Sequence, residues 1–433
     1  MLYLPHIVFG AAWLFAEASA SVVHRPRSHL ERSNSKAANT SGKAIYIITN
    51  DAQANSVVAI PIASDGSLLV DQGSSTATGA AGLSGLTADG APAGPDSLFS
   101  QSAITLADHS AAGSFIFAVN PGNNSVSMLA IDAQDPAKLS LVGEPVVFPG
   151  QFPNTVAASP KNNMVCVGMT GAESGVSCAT YSLTQGIQAN TVDALRPLAL
   201  TPAQTTPPVG PVNTVSQVFF SEDQRTLYAT VKGDGNSTTG FLASYPVMSA
   251  KSACGASARS VAAAGTTSSP NGTAVLFGAA PIKVAGRAKK SADMLFVTDA
   301  SFGAAVLSVD KKTGVASTVG RGVVSGQKAT CWAVISPATN TAFVTDVASD
   351  RLVEMSLTDA SIIGAGPIEL SNGDPGLIDL RAAGQFLYAL SPGNGTGEAA
   401  VTVVDAVKRQ QVQHASLASL GLAASAQGMA ILA

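Results

Sequence analysis

Short apolar runs recur along the chain, each broken by turn-forming residues. Phe115 to Val119 is apolar at successive positions, so a strand made from it needs cover on both faces. Asn120 to Asn124 then supplies a turn, with Pro121 fixing φ and Gly122 free to adopt positive φ, and Ser125 to Ile131 returns to strand character. The same succession of strand, turn and strand recurs from Ile45, Met164, Thr226, Met294, Ala342 and Phe386. A further short strand precedes most copies, as at Ser102–Leu106, Thr155–Ala158, Gln217–Phe220, Ile282–Val284, Trp332–Ile335 and Leu377–Leu380. The first copy lacks this lead-in, while Gly428 to Leu432 is a lead-in with no unit after it. Pairing the last strand with the first unit leaves no open sheet edge in the ring. The pattern therefore predicts an all-β, seven-bladed β-propeller over residues 44–433, closed by the C-terminal strand, with a repeat of about 45 to 70 residues.

Residues 1–20 have an apolar centre and end Ala18-Ser19-Ala20, which reads as a secretory signal peptide cleaved after Ala20. Residues 21–43 are polar and rich in Arg and Lys, as expected of a basic linker or pro-segment. Residues 72–95 and 249–273 are low in complexity and read as surface insertions between blades. No later run reaches the roughly 18 apolar residues of a membrane span, so a secreted, extracellular protein, possibly held at a cell wall, is expected. A net charge of −4 with only 12% charged residues argues against a nucleic-acid partner. The expected state is a monomer, with a small anionic ligand or a host or cell-surface protein as partner.

Four cysteines suit a secreted chain. Cys166 and Cys178 lie in consecutive strands, equidistant from a turn near Ala172, which favours a cross-strand disulfide; Cys254 and Cys331 are left as the second pair, one of three possible connectivities. Asn39, Asn123, Asn236, Asn271 and Asn394 each begin an Asn-x-Ser/Thr sequon for N-glycosylation. Only His109 and His414 fall within the ring, no C-x-x-C spacing occurs, and no G-x-S-x-G elbow is present. A metal site, a cofactor and a serine-hydrolase triad are therefore not expected.

Propellers bind ligands at the mouth of the central channel, between the loops that enter the inner strands and the turns after the second strands. Those loops offer Asp96, Gln101, Asn154, Gln217, Lys328, Asp374 and Gln427 as candidates, and Lys232 follows a second strand. Lys232, Lys283 and Lys328 could hold an anion, and Asp374 or Asp379 could do acid–base work if burial moved a carboxyl pKa upward. Residue chemistry alone assigns no catalytic residue.

The stretch from Phe117 to Asp132 (FAVNPGNNSVSMLAID) resembles the blade signature of the seven-bladed lactonase family, which includes 6-phosphogluconolactonase-type enzymes and fungal carboxy-cis,cis-muconate cyclases. Residues 50–71, Gly94–Ser97 and Phe152–Val156 look closer still to a secreted fungal subgroup, labelled 3-carboxymuconate cyclase, that includes cell-surface glycoprotein antigens. The resemblance implies a metal-independent site using His, Glu and Arg near the channel. This chain departs from it: Asn154 stands where a histidine is expected, and Lys232-Gly-Asp-Gly235 and Thr345-Asp-Val-Ala348 replace an Asn-Glu and an Asn-Arg turn. The expectation is thus a lactonase-fold binding protein or antigen without the family's catalytic set. The alternative is an active carboxymuconate cyclase or lactonase acting on small carboxylated lactones.

Overall fold

Alternation of apolar runs with turn residues produces seven antiparallel sheets in a computed structural model that describes residues 42–251, 257–284 and 291–433. The signal peptide, almost all of the basic linker, Asn39 and Cys254 lie outside the described residues. Each sheet is one blade of a seven-bladed propeller. From inside outward, the second blade runs Ile104–Asp108, Ser114–Asn120, Ser125–Ile131 and Leu139–Leu141. The inner strands of the next five blades are Pro153–Ser159, Val215–Phe220, Leu276–Ile282, Thr330–Ser336 and Leu380–Ala383.

The first blade is made from both ends of the ring. Gln427–Leu432 is its inner strand and pairs antiparallel with Ala44–Ile48, with Leu432 opposite Ala44 and Met429 opposite Ile47. Lys43 N–H also donates to Leu432 O at 2.6 Å, so pairing begins just before the strand expected from sequence. Asp379 fastens the closing strand to its neighbour blade. Its buried carboxylate accepts from Met429 N at 2.8 Å and Leu380 N at 2.7 Å, and it pairs with Arg381 at 2.7 Å.

Burial follows position within the blade. Second and third strands such as Met164–Met169 and Ala400–Asp405 are wholly buried, because neighbouring blades cover both faces. Outer strands such as Gln410–Ser416 are mostly exposed. This gradient explains why the low-complexity stretches are misread as insertions. Ser74–Ala77 is the outer strand of the first blade, and Ser257–Val261 and Thr266–Ser268 pair with the long third strand of the fourth. An edge strand needs little apolar content, so these segments carry little apolar sequence signal. The inner strand of the fifth blade is also displaced from its expected position at Ile282–Val284. It ends at Ile282, and Pro281 is accommodated within it opposite Leu295.

Turn chemistry repeats as well. Pro121–Asn123 and Pro160–Asn162 form 3₁₀ turns that end in Asn124 (φ 51°) and Asn163 (φ 47°); Asp350 (φ 47°) closes the corresponding turn at Val347–Ser349. Asn and Asp tolerate this left-handed conformation better than other side chains. Cys166 lies directly opposite Cys178, with Cα atoms 4.0 Å apart, and the two form a disulfide. Cys331 is a buried free thiol at the start of an inner strand, and its expected partner Cys254 lies outside the described residues.

Candidate functional site

The channel mouth is filled by its own chain. Asp96 to Gln101 leads into the second blade but crosses the axis first, fixed to inner strands on several sides. Ser97 N–H donates to Gln427 Oε1 at 3.1 Å, Asn154 Nδ2 donates to Leu98 O at 3.1 Å, and Gln101 N–H donates to Ser216 O at 2.9 Å. The Gln101 amide reaches the sixth blade, where Nε2 donates to Ala333 O and Oε1 accepts from Ala333 N, both at 3.1 Å. Gln217 similarly accepts from Ala279 N at 2.6 Å and donates to Ser102 Oγ at 3.2 Å. Four candidates expected at the mouth, Gln101, Asn154, Gln217 and Gln427, therefore form a buried amide girdle around this plug.

Beside the plug lies a cavity of about 710 Å³, opening on the face where inner strands begin. The plug and the 87–95 segment supply Thr87, Ala93, Pro95, Asp96 and Phe99. The loop into the fourth blade supplies Gly210 to Val212, and the turn after that blade's second strand supplies Lys232 and Asp234. Phe277 comes from the inner strand of the fifth blade, and Cys331 and Trp332 from that of the sixth. Residues 87–95, expected to be surface insertion, thus supply part of the cavity wall.

Phe99 is held by the absence of side chains around it. A Cβ on Gly85 or Gly210 would come within 2.4 Å of the Phe99 ring, so both positions require glycine as the loops stand. Phe99 itself has φ 57°, a left-handed conformation costly for a large side chain. This orientation points its carbonyl at Lys232, whose Nζ donates to Phe99 O at 2.6 Å. The ammonium also lies 4.5 Å from the Phe277 ring centroid and 6.0 Å from that of Phe99.

Lys232 is only 3% exposed, and it is the one buried lysine among the described residues. Lys311, by contrast, sits between Asp223 and Asp293 at 2.8 and 2.9 Å, whereas none of the ion pairs among the described residues includes Lys232. Desolvation brings its amine down to about 8, against the opposing influence of Asp96. The Asp96 carboxylate accepts from Phe99 N at 2.9 Å and Gln427 Nε2 at 3.1 Å. Desolvation raises it to about 6, and the Lys232 charge opposes that rise. Burial also raises the Cys331 thiol, which remains protonated at neutral pH. The Trp332 indole N–H is buried and has no acceptor among the described residues.

The remaining candidates are elsewhere. Lys283 is exposed just beyond Ile282, at the opposite end of an inner strand from the cavity. Lys328 is exposed outside the cavity wall, and its backbone N–H donates to Asp346. Asp374 pairs with His414 at 3.1 Å near the outer strand of the seventh blade. His109 bonds the Tyr181 hydroxyl at 2.9 Å. Asp379 is raised to about 6, chiefly by desolvation, but serves ring closure. Sequence reasoning missed Phe99, Phe277, Cys331 and Trp332. A signal was available for two of them: Phe277 and Trp332 are aromatic residues within the first three positions of two inner strands.

Among solved structures, a proposed 6-phosphogluconolactonase from Bacteroides uniformis is similar over 86% of this chain and 94% of its own, with 13% identity and a TM-score of 0.51. Apo AztD from Citrobacter koseri matches over 90% and 97% respectively, with 11% identity and a TM-score of 0.46. A Lactobacillus plantarum protein matches over 68% and 78%, with 16% identity and a TM-score of 0.44. At such identities the likeness, carried by the first of these, establishes the lactonase-like propeller fold alone. No protein-family model matches the chain. No curated protein sequence matches it.

Proposed function

We propose that this propeller is a secreted binding protein that captures a compact, largely apolar molecule bearing one anionic group. The observation that carries the reading is Lys232: a buried ammonium with a single hydrogen-bond partner among the described residues, set in the wall of an apolar cavity. Burying such a charge without an ion pair is unfavourable, and a ligand carboxylate would supply the missing partner. Phe99, Phe277 and Trp332 would cover the apolar body of the ligand. The wall contains no histidine or arginine among the described residues, which favours binding over the ring-closing chemistry implied by the sequence resemblance.

A second reading draws on one further observation. Asp96 and Lys232, displaced in opposite directions to about 6 and 8, share a wall as an acid–base pair would. That arrangement supports a lactonase or muconate cyclase with a rearranged site. Calorimetric titration with benzoate, paired with ultraviolet assays on 3-carboxymuconate and simple lactones, separates the readings. Saturable benzoate binding without turnover supports the first; turnover lost in Asp96→Asn supports the second; neither binding nor turnover overturns both.

Extracellular placement is part of the proposal. The four described sequon residues, Asn123, Asn236, Asn271 and Asn394, are exposed, so each could carry a glycan without repacking. N-terminal sequencing and glycosidase-sensitive mass of the secreted protein test this. A mature chain that retains Met1 and lacks glycan would overturn it.

A further inference from the structure

We infer that Lys232 is also a nucleophile, forming a reversible imine with an aldehyde or ketone admitted to the cavity. The inference rests on the same cavity reading but asks for covalent rather than ionic chemistry. Three features of the wall point to it. The amine is buried against the Phe99 and Phe277 rings and faces a space large enough for a compact carbonyl compound. Among the described residues no carboxylate holds it in an ion pair, so attack on carbon breaks no salt bridge there. The Trp332 N–H in the same wall lacks an acceptor, and a carbonyl or carbinolamine oxygen could satisfy it.

The chemistry balances with these groups alone. The neutral amine donates its lone pair to the carbonyl carbon, forming the C–N bond while the C=O π pair takes up a proton. Nitrogen then loses a proton and the carbinolamine hydroxyl takes one up. The C–O bond breaks so that oxygen leaves as water while the nitrogen lone pair forms the C=N bond, and the resulting iminium gives up its remaining N–H proton. The net change is amine plus aldehyde giving imine plus water, without an oxidant or reductant. Asp96 is the wall group suited to carry the proton from nitrogen to the leaving oxygen, since its carboxyl titrates near 6. A lysine titrating near 8 is roughly one-tenth neutral at pH 7, whereas an ordinary lysine is neutral in only a few molecules per ten thousand.

The test uses the full secreted protein, benzaldehyde as probe and cyanoborohydride to trap the imine, with peptide mapping by mass spectrometry. The expected result is a single benzyl adduct on Lys232, formed at least tenfold faster than on exposed Lys161 and Lys328, with a rate that rises as pH approaches 8. Lys232→Arg, which cannot form an imine, should lose the adduct. Lys232→Met, a closer match in volume, should lose both the adduct and benzoate binding and covers the case in which arginine does not fit. Labelling of Lys232 no faster than of the exposed lysines, with benzoate binding intact, overturns the imine and leaves the anion reading standing. Absence of both adduct and benzoate binding in the unaltered protein overturns the cavity reading and the imine together.

Discussion

Two sets of buried polar groups meet at the mouth of this propeller, and they are finished to different degrees. The plug and its amide girdle are mostly paired: Gln101, Gln217 and Gln427 use both ends of their amides on backbone or neighbouring side chains, and Asn154 donates twice to backbone carbonyls but leaves its Oδ1 without a partner. The adjoining wall is incomplete, with Lys232 on one backbone carbonyl and the Trp332 N–H on none. Paired polar groups stabilise a fold, whereas unpaired ones destabilise it unless something else completes them. The first set serves the architecture; the second is the set that the proposed ligand would complete.

The largest effect should come from breaking the girdle. Gln101→Ala leaves the buried Ala333 N–H and C=O without partners and opens a void in the channel, with an expected loss of about 3 kcal/mol. Denaturant unfolding checks this, and an unchanged midpoint would show that the plug is dispensable.

Lys232→Met should act oppositely. Benzoate affinity is expected to fall at least tenfold, about 1.4 kcal/mol, while thermal stability at neutral pH holds or rises because a desolvated charge has been removed. A lowered lysine pKa contributes stability above the unfolded value that is lost as pH falls through about 8, so the gain should be largest at and below neutral pH.

Acidity sharpens the same contrast. Anion binding is strongest when Asp96 is neutral and Lys232 charged, so benzoate affinity should weaken in two steps as pH rises, first through about 6 and then through about 8. Asp96→Asn should erase the lower step. Affinity that climbs over this range would contradict the assignment. The smallest effect belongs to Trp332→Phe, which keeps most of the packing against Phe277 but removes the indole N–H. A few-fold loss of binding with little change in stability is expected.

How much of this could be read from residues alone depended on distance along the chain. The blade repeat is local: the Phe115–Val119 strand, its Pro-Gly turn and its successor are contiguous, and the period carries their pairing. The closing strand was legible because Gly428–Leu432 is apolar and has no unit after it. The cavity is not local, since Phe99, Lys232, Phe277 and Trp332 come from separate blades or loops. Its lid side lies in a Gly/Ala/Ser-rich segment whose composition suggests a solvent-exposed insertion. Asp96, Gln101 and Gln427 share one chemical vocabulary in sequence, and only their partners separate the carboxylate in the wall from the amides around the plug.

Ring closure also sets an order of biosynthesis. Ala44–Ile48 is made before the six other blades, yet its partner Gln427–Leu432 follows all of them. Until that strand is made the opening blade presents a bare apolar edge, of the kind that invites chaperones or a second nascent chain. Synthesis of Gln427–Leu432, rather than completion of any of the six intervening sheets, is the moment at which this hazard ends.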